Sequence, residues 1–155
     1  MNLQRVESFA RELHAIISEA DKAQQRIDQI NGQLAITDKF NDLKQTKALS
    51  DQRAEVQRVQ AQLAQVAAEK ANRPDVEGAR SLVGEIMVRV QLAQQEYGQL
   101  QAAMAEFEFQ TTAGHLDTDQ RAMAEADLDR ARQRVELRVK LAGDLLPNKS
   151  IVLLT

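Results

Sequence analysis

No cysteine occurs anywhere in the 155 residues. That absence excludes disulfides, iron–sulfur clusters and thiolate zinc sites, and it fits a reducing compartment. Tryptophan is missing too, and one Tyr and four Phe supply all the aromatic surface. A compact globular core usually leans on aromatic area, so burial here falls to Ala, Val, Leu and Ile, which are small enough for long helices to approach closely. Proline is confined to Pro74 and Pro147, and nothing elsewhere forbids long uninterrupted helices. No apolar run approaches the length of a membrane span, and the first residues lack the apolar segment of a signal peptide. The expected location is the cytoplasm. Neither sign of charge is in large excess: the formal net charge of -3 gives no global attraction to nucleic acid or anionic lipid.

What the chain does have is periodicity. From Leu3 the apolar residues step by three and four through Val6, Ala10, Leu13, Ile17 and Ala20, and then through Ile27 and Leu34. This is a heptad seam, and it requires a partner helix. Phe9, Ile16 and Ile30 widen the stripe in the manner of a bundle. Gln24 and Asn31 fall on the seam, where a polar residue either sets register or meets solvent. The pattern loosens over residues 37–50, where Thr37-Asp38 and Ser50-Asp51 both have the chemistry of helix N-caps. It resumes through Val56, Val59, Leu63 and Val66, and stops before Pro74, because a residue preceding proline is pushed out of helix.

The cleanest rhythm follows, from Val76 through Ala79, Val83, Ile86, Val90, Ala93, Tyr97, Leu100 and Met104 to Phe107. Gly78, Gly84 and Gly98 lie within it, and close packing is the favoured explanation for Gly84. Val83, Gly84, Glu85, Ile86, Met87, Val88, Arg89 and Val90 resemble the strand motif between the two helices of a prefoldin subunit. In a prefoldin they would form a hairpin. Here the heptad passes straight through them, and helix is the reading kept. Residues 111–115 break the pattern, Thr118 resembles a cap, and a last helix carries Leu128, Ala131, Val135, Val139 and Ala142 towards Gly143 and Pro147.

These patterns predict an all-α fold, either a long antiparallel helical hairpin or an elongated four-helix bundle with coiled-coil packing. A single domain is expected over residues 1–149, with helices near 3–36, 50–72, 75–110 and 118–146, followed by an apolar tail at 150–155. Leu13, Ile17, Ile27, Val83, Ile86, Val90 and Leu100 are the expected core. Whether the breaks at 37–50 and 111–117 reverse the chain or merely kink it is left open by periodicity.

The sequence contains neither a Gly-rich phosphate loop nor a nucleophile elbow. His14 and His115 are distant from each other, and neither belongs to the Glu-x-x-His arrangement of helical metal sites. No catalytic residue, cofactor or metal is therefore expected, and the chain reads as a non-enzyme. Two features are candidates for partner binding. Arg130, Arg134 and Arg138 recur every four residues and line one edge of the last helix. The acids of the preceding helix, Glu96 among them, could absorb that charge internally. The second feature is the tail, whose Ile151, Val152, Leu153 and Leu154 would either fold back into the bundle or dock on a partner.

The function expected from this inventory is structural or scaffolding, through coiled-coil contact with protein partners and homo-oligomerisation. A chaperone or adaptor clasping a client between helical arms is the alternative. Nucleic acid is not expected as a partner, and the Arg130–Lys140 edge keeps nucleic-acid or anionic-surface binding as the remaining alternative.

Overall fold

The computed structural model describes residues 3–147. Among them are four helices and no strand: α1 (Leu3–Lys39), α2 (Leu43–Ala71), α3 (Val76–Thr112) and α4 (Thr118–Gly143). The all-α expectation holds, and no helix among the described residues is long and apolar enough to cross a membrane. The hydrophobic tail, Ile151 to Leu154, lies outside the described residues.

The chain divides into two compact units. One combines α1 up to Phe9 with Gly84–Leu146, and the other runs from Ala10 to Val83. In the second, α2 lies antiparallel to α1. Arg53 Nη1 donates to Asn31 Oδ1 at 3.0 Å, and Lys70 Nζ reaches Glu12 Oε2 at 3.0 Å, so position falls along α1 as it rises along α2. The break after α1 is therefore a reversal. Asn41 takes a left-handed conformation there, at φ 54°, which asparagine tolerates better than most residues. Thr46 Oγ1 donates to Thr37 Oγ1 at 3.1 Å across the turn, and Thr37 Oγ1 is hydrogen-bonded in turn to the Leu34 carbonyl.

The start of α2 differs from the expected position near residue 50. Asp42, not Ser50, is the N-cap: its carboxylate accepts from the Gln45 amide at 3.1 Å. Ser50 and Asp51 instead sit inside the helix, where their side chains find room at the surface and no helical amide is left unpaired for them to cap. At its other end α2 is closed by Asn72 in the left-handed conformation, with its amide bonded back to the Ala68 and Glu69 carbonyls. Asp75 then starts α3 by accepting from the Gly78 amide at 2.8 Å. A Cβ on Gly78 would come within 2.9 Å of the Arg73 Cβ, so this is the glycine that close approach requires. Gly84, in contrast, has open space around it and is exposed. The packing role expected of Gly84 is thus not found, because its neighbours on α3 bury the opposite face.

Ile30, Leu34 and Leu49 form a buried cluster between α1 and α2, with Val56 packed against it. Between α1 and α3, the Arg80 guanidinium grips Asp21 with two hydrogen bonds of 3.0 and 2.8 Å. Those bonds hold the Asp21 carboxyl below its ordinary value of 3.8, the attraction of the charged guanidinium adding to them against desolvation. Both side chains remain nearly half exposed, so Asp21→Asn is expected to cost at most about 1 kcal/mol. A depressed acid stabilises the fold above its unfolded pKa, and that contribution is lost as pH falls through the folded value. Urea titrations of both proteins should therefore differ at neutral pH and converge in acid, once the pH lies below the depressed folded value; an unchanged gap in acid would contradict this account.

In the other unit, α4 returns antiparallel to α3. Arg89 Nη1 donates to the Leu141 carbonyl at 2.8 Å, and Arg134 Nε lies 3.6 Å from Glu96 Oε2. The break at 111–117 is thus also a reversal. Asp117 caps α4 one residue before the expected Thr118, in a reciprocal capping box with Gln120. Helix α3 is unbroken through Val83–Val90, as the heptad implies. Leu100, Leu128 and Ala131 form a buried cluster in this unit, with Phe107 and Val135 against it. Gln94 Nε2 donates to Glu7 Oε1 at 2.8 Å, which fixes the first turns of α1 beside α3.

Of the expected core, Leu13, Ile17, Ile27, Ile86, Val90 and Leu100 are buried, whereas Val83 is half-buried. Leu82, off the heptad, is buried in its place.

Candidate protein interaction surfaces

The arginine edge of α4 is brought together as its spacing implies, and much of its charge is met within the chain. Arg134 and Arg138 converge on the Glu96 carboxylate, Nε to oxygen at 3.6 and 3.8 Å. Arg130 pairs with Asp127 one turn earlier on the same helix. These are exposed or part-exposed pairs, each worth about 0–1 kcal/mol. They orient the three side chains without burying them. Arg132, on a different face, lines a groove with Met104, Phe107 and Leu128.

The seam of α3 contains an offset that periodicity does not reveal. Tyr97 and Met104 hold perfect heptad positions, yet they are 51% and 42% exposed. The groove against α4 is lined instead by Glu96, Ala103 and Phe107, one position earlier than Tyr97 and Met104 at two of its turns. A helix presents one stripe to each neighbour, and α4 packs on Leu100 and Phe107 of this seam while Tyr97 and Met104 stay more open to solvent. Those two side chains are only about half covered.

Other large apolar side chains are exposed along the helices, at Val59, Val66, Met87, Val88 and Leu137, and they also gather beside the two reversals. At the α1–α2 reversal, Ile36, Phe40 and Leu43 are 59%, 75% and 82% exposed. Around the α3–α4 reversal, Phe109 and Met123 are likewise exposed, together with Met104. Phe109 makes an edge contact with the His115 ring at 6.5 Å between centroids, which accounts for that histidine without any catalytic partner. His14 lies 3.4 Å from Ser18 Oγ one turn away on the surface of α1. No group of three or more metal-ligating side chains occurs among the described residues.

Of the exposed tip residues, Met123 alone reads in sequence as surplus apolar surface for association. Ile36, Phe40 and Leu43 keep helical spacing and so resemble core in sequence; only the position of the reversal puts them in water. The two polar seam residues diverge in role. Asn31 meets Arg53 of α2, whereas Gln24 is solvent-exposed and bonds Asp28 on its own helix.

No protein family, curated protein or solved structure matches the chain.

Proposed function

We propose that the chain is a non-enzymatic structural or scaffolding protein of the cytoplasm that acts through coiled-coil contact with protein partners and with copies of itself. The observation that carries this reading is the apolar surface left over once each helix has found its neighbours. Leu43, Phe40 and Met123 are at least 70% exposed although buried alternatives exist along the same helices. Singly exposed apolar residues are ordinary, whereas clusters of them at helix ends mark contact surfaces. The absence of cysteine from the whole chain is consistent with a reducing compartment. Polyanion binding through the arginine edge has less support, since Glu96 and Asp127 already engage Arg130, Arg134 and Arg138.

Multi-angle light scattering over a wide concentration range, with cross-linking, tests the proposal. The average mass is expected to rise with concentration and cross-linked multiples to appear. A mass equal to one chain at every concentration would overturn self-association.

A further inference from the structure

The two reversals carry complementary surfaces. Residues 104–129, around the α3–α4 turn, hold seven acids and a single cation, Arg121. Their net charge of -6 exceeds the -3 of the entire chain, so acidity is concentrated at this end. Within the patch lie Met104, Phe109 and Met123, all exposed. The adjoining groove, edged by Glu108 and by Arg132, holds Thr111, whose Oγ1 is buried with no hydrogen-bond partner, a polar group that a docked chain could satisfy.

Around the α1–α2 turn the sign reverses. Residues 36–49 carry Lys39, Lys44 and Lys47 against Asp38 and Asp42. Asp42 already accepts from the Gln45 amide as the cap of α2. The three lysines are exposed and make no ion pair among the described residues. Beside them stand Phe40 and Leu43, the two most exposed large apolar side chains described.

An apolar centre ringed by lysines thus matches an apolar centre ringed by carboxylates. We propose that the α1–α2 reversal of one copy docks on the α3–α4 reversal of a second copy. This rests on the self-association proposed above and names the surfaces that perform it. The contact joins two different patches, so it is heterologous. Each copy in a pair keeps one unused patch, so the pair presents one of each kind, and association continues to larger oligomers or closes into a ring. Opposed charges speed encounter and fix the pairing, while the aromatic and aliphatic residues exclude water at its centre.

Two charge-reversed variants of the full chain test the pairing, with circular dichroism to verify that each keeps its helix content. The first is K39E/K44E/K47E, and the second is E108K/D119K/D129K; none of the six side chains is buried. In sedimentation velocity each variant alone is expected to associate at least about tenfold more weakly than the unchanged chain, because like charges now face one another. Mixed one to one they should associate again, since the acidic α1–α2 turn of the first meets the basic α3–α4 turn of the second. Raising salt should weaken association of the unchanged chain. Should one variant lose its helices, F40S/L43S provides the same test through the apolar centre and is likewise expected to dissociate the oligomer.

Variants that associate as strongly as the unchanged chain, or that stay apart when mixed, overturn the docking while leaving self-association by other surfaces intact. An unchanged chain that is monomeric throughout overturns both, and is the result expected if these patches serve a different protein.

Discussion

Alanine in place of Ile30 is expected to lower the free energy of unfolding by about 2–5 kcal/mol, the largest loss predicted for a single truncation in this chain. Ile30 is fully buried. Its cluster holds Leu34 from its own helix and Leu49 from α2, with Val56 packed against them. Removing three carbons forfeits transfer free energy and leaves a cavity, and the final cost depends on how far the walls can close. Val56 is only half-buried, while the Arg53–Asn31 hydrogen bond nearby holds α2 against α1. Urea denaturation followed by far-ultraviolet circular dichroism measures it as a lower midpoint at constant slope. A loss under about 1 kcal/mol would mean that the α1–α2 contact is not a stability core, since truncations at well-packed sites cost more.

The position of Ile30 also marks how far periodicity carries. Helical spacing identifies Leu13, Ile17 and Ile27 as inward-facing because the step of 3.6 residues leaves them no other common side, whereas Ile30 reads only as a widening of that stripe and is buried by the α1–α2 reversal. The helices themselves follow from the same rhythm and from the scarcity of proline. Which neighbour each stripe meets is a different kind of information. Tyr97 and Met104 are indistinguishable from Leu100 and Phe107 by spacing, yet α4 packs on the latter two and leaves the former exposed. Ser50 and Asp42 have equal capping chemistry, and only the depth of the α1–α2 reversal selects Asp42.

The candidate surfaces divide in the same way. A period of four places Arg130, Arg134 and Arg138 on one edge, which is local geometry and legible in sequence. Their convergence on Glu96 depends on the register between α3 and α4, which no single stretch encodes. The apolar tips were illegible for a sharper reason: Phe40 and Leu43 would be core residues in a straight helix and become surface residues because the chain turns between them. A reversal cannot bury its outermost side chains against its own hairpin, so an apolar residue kept there needs a partner or costs solubility. This connects the shortage of aromatics to function. With few large side chains available, placing Phe40 and Phe109 at exposed positions beside the turns removes them from the core that would otherwise have used them.

The core makes up for that loss with small residues, and the second large effect tests this. Ala93→Leu is expected to destabilise the chain by about 1–3 kcal/mol, as overpacking does in well-filled interiors. Ala93 is fully buried on α3 in the unit containing Gly84–Leu146, on a seam position between Val90 and Tyr97. Adding an isobutyl group in an exposed setting would improve helix burial at no steric cost. At a fully buried alanine the added carbons must displace neighbours or leave their rotamer wells. Fixed helix contacts on either side, Gln94 to Glu7 and Arg89 to the Leu141 carbonyl, limit how far α3 can retreat. Thermal unfolding should show a reduced midpoint for Ala93→Leu, and Ala102→Leu, at an exposed position of the same helix, should leave the midpoint nearly unchanged. A midpoint for Ala93→Leu equal to or above the parent's would show that α3 tolerates a larger side chain there, and that close approach through alanine is not what holds this unit together.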